Sequence, residues 1–192
     1  MRVLGLSGSL RRESHNLRLV RAAARALPPG TELEVWGELA GVPPFSEDAE
    51  RVPAPVAVAE LRAAVARADA LLISTPEYNG SVPGQLKNAL DWLSRPYAAS
   101  VLRGLPVAVV GASTGPFGAV WAQADLRRIL GLTGARVLDR DLPVGHAYLA
   151  FAQDGSLADP AVAATLGGIV RELVEAAAPA AAPLGPVAAA AA

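Results

Sequence analysis

The sequence has no cysteine, and its only two histidines, His15 and His146, stand far apart. Without thiols, disulfides, thiolate zinc sites, iron–sulfur ligation and cysteine nucleophiles are all excluded. Two histidines cannot build a three-histidine metal centre, and no metal site is expected. No Gly-x-Ser-x-Gly elbow occurs, and neither histidine falls into a pattern with a serine and an acid, so a nucleophilic triad is not expected either. His15 reads as exposed or phosphate-adjacent, His146 as packed or exposed. Lysine occurs once, as Lys87, and 17 basic residues face 18 acidic ones for a net charge of −1. A nucleic-acid partner normally demands a clear basic excess, so none is expected. Apart from an alanine-rich C-terminus, no apolar run approaches the roughly 18 residues of a membrane span. The apolar stretch in Met1–Ser7 is too short for an export signal. The expectation is a cytoplasmic protein with no membrane partner, whose chemistry comes from a few side chains or from a bound group.

Apolar residues, by contrast, are abundant: 52% of the 192 residues are hydrophobic and 18% charged, too apolar for a disordered chain. A chain of this length buries about 70% of its unfolded surface, enough for a core without covalent staples. One domain is expected over residues 1–175, followed by a tail over 176–192. That tail holds eleven alanines, and Pro179, Pro183 and Pro186 interrupt any helix there. It reads as a disordered extension.

Within the domain, short apolar runs alternate with helical stripes. Arg2–Ser7, Thr31–Trp36, Ala70–Ser74, Pro106–Ala112 and, more weakly, Arg136–Leu138 have the length and flanks of strands. Between and after them, apolar residues recur at helical spacing: Leu17, Val20, Ala24 and Leu27; Val58, Leu61, Val65 and Ala68; Leu86, Ala89, Leu90 and Leu93; Ala122, Leu126, Ile129 and Leu130; Val162, Leu166, Ile169, Val170 and Leu173. Parallel strands need crossovers that put helices on both faces, so the fold class is α/β, a doubly wound five-stranded parallel sheet. Such sheets bind ligands beyond the carboxyl ends of their strands. The loops after strands one, three and four are therefore the ones to read.

The first, Gly8-Ser9-Leu10-Arg11-Arg12-Glu13-Ser14-His15-Asn16, opens a helix, whose free N–H groups and partial positive charge suit a phosphate. Ser9, Ser14, Asn16 and Arg11 add donors and charge; the plainer alternative makes Ser14 or Asn16 a helix cap and leaves the arginines solvated. Neither the P-loop nor the dinucleotide fingerprint is present. The second loop, Thr75-Pro76-Glu77-Tyr78-Asn79-Gly80-Ser81-Val82-Pro83, is stiff at both ends, and Asn79-Gly80 tolerates positive φ. It suits a planar heterocycle, or else it is an ordinary tight turn with Tyr78 on the surface. The third, Gly111-Ala112-Ser113-Thr114-Gly115-Pro116-Phe117-Gly118, offers Ser113 and Thr114 as donors. Pro43-Pro44-Phe45-Ser46-Glu47-Asp48 reads as a disordered surface loop, with covering a neighbouring site as the alternative.

Taken together these strings resemble the NAD(P)H-dependent FMN reductases, flavodoxin-like flavoproteins that include quinone, chromate and azo reductases. The long run Thr75–Gly84, followed by Leu86-Lys87-Asn88-Ala89-Leu90-Asp91-Trp92, is the most specific part. Gly8-Ser9-Leu10-Arg11 with Ser14 and Asn16, and Gly111-Ala112-Ser113 with Gly115, Gly118, Ala122 and Gln123, are similar as well. Pro43-Pro44-Phe45 falls where the family has a proline-rich active-site segment. The resemblance implies strand order 2-1-3-4-5, bound FMN, NAD(P)H as co-substrate, a homodimer or homotetramer, and hydride transfer to the flavin N5. The electrons would pass on to free flavin, a quinone, an azo compound or a metal oxyanion. It also implies that Ser9, Arg11, Ser14 and Asn16 hold the phosphate, and that Pro76, Glu77, Tyr78, Asn79 and Gly80 surround the isoalloxazine with Ser113 on its other side. Backbone donors at Asn79 and Gly80 would assist, with no catalytic side chain. Ala119 stands where relatives often repeat glycine, a change expected to be nearly harmless, and Trp121 stands where many carry arginine. A flavodoxin-type electron carrier is the alternative, against which the near-neutral charge speaks.

Overall fold

Two strands that are buried along their whole length, β3 (Ala70–Thr75) and β4 (Pro106–Ala112), form the middle of a parallel sheet. The computed structural model describes residues 1–50 and 53–178. β1 (Arg2–Ser7) lies beside β3, β2 (Glu32–Trp36) forms one edge, and β5 (Arg136–Val137) lies at the other, giving the order β2-β1-β3-β4-β5. The helices between them are α1 (His15–Ala23), α2 (Val56–Ala66), α3 (Gly84–Leu93) and α4 (Val120–Leu132), and α5 (Pro160–Ala177) closes the chain.

The side-chain alternation of the strands builds two cores. Leu4, Leu6, Leu71, Ile73, Val107 and Val109 face α2, α3 and α4. Their alternates Val3, Leu72, Ala108 and Val110 face α1 and α5. This distribution follows from right-handed crossovers. The chain steps outward from β1 to β2 through α1, then returns past β1 to β3, and the reversal moves α2 to the opposite face. The switch point between β1 and β3 leaves the loops that follow those strands facing a common crevice.

Three features depart from expectation. The sheet has a sixth short strand, β6 (Pro143–Val144), which pairs with Gly111 and Ala112, whereas β5 pairs with Pro106 and Val107. The fifth strand position is thus split in two. The physical reason is Asp139-Arg140-Asp141: three consecutive charged residues bulge out to solvent rather than enter a sheet covered by helices. Second, the segment read as a disordered loop is ordered. Phe45 N–H donates to Asn88 Oδ1 at 2.7 Å, and Pro43 carbonyl accepts from Asn88 Nδ2 and Trp92 Nε1. Gln85 Nε2 donates to the Leu39 and Val42 carbonyls. Asn88 and Trp92, four apart, share one face of α3 and hold the segment down. Third, α5 continues to Ala177, two residues into the stretch read as tail; residues 179–192 lie outside the described residues. Among the described residues no helix is long and apolar enough to cross a membrane.

Candidate functional site

The first loop is built from beneath. Ser14 is the N-cap of α1, its hydroxyl accepting from Leu17 N–H at 3.1 Å, a contact worth about 1 kcal/mol. Asn16 is buried, and its side chain bolts α1 to the sheet. Oδ1 accepts from Ser74 Oγ at 2.7 Å and from Ala112 N–H at 3.0 Å, while Nδ2 donates to Ala112 carbonyl at 2.9 Å. Its oxygen and one of its two N–H donors are thereby tied to the ends of β3 and β4, and Asn16 also lines the crevice. What this turn presents outward is main chain: the N–H groups of His15 and Asn16, which have no acceptor within a helix. Around them, Ser9 hydroxyl accepts from Arg11 N–H at 3.4 Å, and Arg11 forms no ion pair among the described residues.

The second loop is a tight turn of the type I′ class. Tyr78 and Ser81 exchange both main-chain hydrogen bonds, at 3.1 and 3.2 Å, and the two central residues, Asn79 and Gly80, have φ of 53° and 76°. The turn's own bonds leave the N–H groups of Asn79 and Gly80 out, at an exposed tip. It is anchored from outside, by α4. Glu77 Oε2 accepts from Trp121 and Ala122 N–H, both at 3.0 Å. The N-cap residue of α4, Ala119, has no side chain able to do this, so Glu77 caps the helix from another loop. Ser81 Oγ donates to Asp125 Oδ2. This hydroxyl first, and Arg128 second, hold the Asp125 carboxyl below its ordinary value. No pattern in the sequence links Ser81 to Asp125 or Glu77 to α4.

The third loop is stitched to β6: Ser113 N–H donates to Val144 carbonyl and Ala147 N–H to Ser113 carbonyl, both at 3.0 Å. Gly118 has a φ of 59°, and a Cβ there would lie 2.3 Å from the Pro143 carbonyl carbon, so the crossing admits only glycine. His146 is exposed with a φ of 45°.

The three loops meet at a cavity of about 100 Å³. Seven of the ten residues singled out from sequence line it: Ser9, Arg11, Asn16, Pro76, Glu77, Tyr78 and Ser113. Ser14 sits below as the cap, and Asn79 and Gly80 stand at the turn's tip. A second cavity of about 340 Å³ shares Arg11 and Tyr78 with the first and runs on to Pro83, Gly84 and Gln85. His15, read from sequence as exposed or phosphate-adjacent, and Thr114, read as a donor, also line the first cavity.

One family profile, that of the NADPH-dependent FMN reductases, matches residues 1–148. This chain belongs to that family. It is 41% identical over 160 residues to an NAD(P)H-dependent FMN reductase of Pseudomonas aeruginosa, covering 83% of this chain and 85% of that one. It is 37% identical over 141 residues to a quinone reductase of Escherichia coli K12, covering 73% and 74%. Among solved structures, the flavoenzyme NAD(P)H:(acceptor) oxidoreductase of Paracoccus denitrificans superposes with a TM-score of 0.80 at 34% identity, covering 92% of this chain and 96% of that one. The chain is an NAD(P)H-dependent flavin oxidoreductase that uses FMN, and the electron-carrier alternative is set aside.

The donor set at the crevice fits that cofactor. An FMN reductase must hold a phosphate dianion at one end and a heterocycle rich in acceptors at the other. Here Arg11, Ser9 and the first turn of α1 supply positive charge and donors, and the 76–80 loop supplies free N–H groups on a rigid turn.

Proposed function

We propose that the loop after β1 holds the FMN phosphate through Ser9, Arg11 and the N–H groups that Ser14 and Asn16 keep in place, and that Pro76, Glu77, Tyr78, Asn79, Gly80 and Ser113 bound the ring. The observation that carries this reading is the convergence of three sequence-distant loops on one cavity, positive at the helix end and rich in free N–H groups at the turn. Bound FMN supplies hydride acceptance from NAD(P)H and electron delivery to an oxidised acceptor. The protein's part is binding, orientation and electrostatics. Donors fixed at Asn79 and Gly80 favour negative charge developing on a neighbouring ring and need no reorganisation, the logic of an oxyanion hole. Pro76 stiffens the loop, and Glu77, drawn onto α4, keeps its own charge against a helix N-terminus instead of against the ring. No side chain has to act as acid or base.

The acceptor is a small oxidised molecule, with a quinone first and free flavin, an azo compound or a metal oxyanion as the other members of the class. Relatives named as quinone reductases support that order. A cytoplasmic homodimer or homotetramer is the assembly we favour. Supporting it, Tyr78, Phe117 and Trp121 are 51%, 61% and 52% exposed, and the Phe117 and Trp121 rings pack edge to face at 5.0 Å; exposed apolar groups gathered in this way mark interaction surfaces. Light scattering on the eluting protein reads the assembly directly. For the function itself, protein purified with FMN and mixed with NADPH in a stopped flow should bleach, and added benzoquinone should restore the colour. A colourless protein with no affinity for added FMN overturns the reading.

A further inference from the structure

His15 is the first residue of α1 and lines the same cavity as Ser9 and Arg11. It stacks nearly parallel to Phe151, with centroids 6.3 Å apart and planes at 6°. The guanidinium of Arg18, one turn along α1, lies 4.4 Å from the Phe151 centroid. Among the described residues, His15 Nδ1 is the one buried side-chain nitrogen or oxygen without a hydrogen-bond partner. The charged groups acting on the ring are both positive, Arg11 from the loop and Arg18 from the helix. On the segment that carries Phe151, Asp154 is engaged by Arg25, and Glu13 before the helix is exposed. Burial first, then Arg11 and Arg18, hold the imidazole below its ordinary pKa. A buried nitrogen without a partner, on a ring whose charged neighbours are both cations, disfavours the charged form.

We propose that His15 is part of the phosphate site and takes up a proton when the cofactor's phosphate binds. This rests on the phosphate lying at the first loop. A dianion placed beside Ser9 and Arg11 reverses the local field, and its oxygens supply acceptors where the imidazolium has none. The sign of the linkage follows. Binding raises the His15 pKa, so affinity for FMN is enhanced below the bound-state value and declines as pH rises through it. FMN's own second phosphate ionisation, near pH 6, acts equally on wild type and variants and cancels in their ratio.

The test is calorimetric titration of the flavin-free full-length chain with FMN and with riboflavin, in buffers of different ionisation enthalpy, for wild type, His15→Gln and His15→Phe. The phenylalanine variant keeps a ring against Phe151. Proton uptake is expected with FMN on wild type, and not with riboflavin or with either variant. The affinity advantage of wild type over the variants should shrink as pH rises from below the free-state pKa of His15 to above its FMN-bound value, by about tenfold for each unit by which phosphate raises the pKa. Riboflavin affinities equal across the three proteins show that the variants are folded. If wild type prefers FMN to riboflavin but both variants keep the same proton uptake, the His15 assignment is overturned while the phosphate site stands. If wild type binds FMN and riboflavin equally, the phosphate placement itself fails.

Discussion

The loops that follow β1 and β3 line one crevice, yet they are held in opposite ways. The first is fastened from inside, where Ser14 and the buried Asn16 tie the start of α1 to the ends of β3 and β4. The second is fastened from outside, where α4 receives Glu77 at its N-terminus and Ser81 at Asp125. An inside anchor belongs to the core, so disturbing it unfolds the domain. An outside anchor joins two surface elements, so disturbing it loosens the site while the domain survives.

The largest effect should come from Asn16→Ala. It strands the Ser74 hydroxyl and both main-chain groups of Ala112, at about 1–3 kcal/mol for each buried group left unpaired, so a loss of at least about 3 kcal/mol is expected in denaturant unfolding. A loss below about 1 kcal/mol would place the first loop's anchor elsewhere. Next, Arg11→Ala should leave stability alone and weaken FMN retention by about ten- to a hundredfold, the worth of one hydrogen bond to a charged partner. Hydride transfer in the FMN-saturated variant should be nearly unchanged. Slow transfer with normal retention would contradict the phosphate role.

Glu77→Ala removes the cap of α4, worth about 1 kcal/mol, and frees one tie of the turn. Stability should fall modestly, and hydride transfer in the FMN-saturated protein should slow more than retention suffers. Glu77→Gln, which keeps an acceptor oxygen, should recover most of both. Equal damage from the two variants would mean that the charge, not the cap, matters. The smallest effect is expected from Ala119→Gly. Ala119 is left-handed at φ 63° and buried at 1% exposure. Glycine relieves about 1–2 kcal/mol of left-handed strain. It gives back a similar amount through chain entropy and a lost buried methyl group, about 0.5–1 kcal/mol each. The melting temperature should barely move; a shift beyond that expected for about 1 kcal/mol would show that one term dominates.

The site was legible to an uneven degree. Ser9, Arg11, Pro76, Tyr78 and Ser113 stand out because strand, loop and helix starts can be read locally, and doubly wound sheets send such loops to one crevice. The ties of the Asn16 amide to the sheet are not legible in sequence, since its partners lie 58 and 96 residues away. For the same reason the Pro43 segment looked loose. Nothing local says that Asn88 and Trp92 will reach it.

By itself, the sequence determined the alternation of strands and helices, the tolerance of positive φ at Asn79-Gly80 and the absence of thiol chemistry. These depend on neighbours a few residues apart and on residue types alone. Only the tertiary structure decided that Glu77 caps a helix 44 residues away, that charged Asp139–Asp141 splits the edge strand, and that His15 sits unpaired among arginines at the crevice. Those outcomes depend on which groups the packed sheet brings within hydrogen-bonding distance, and short-range spacing carries no record of that.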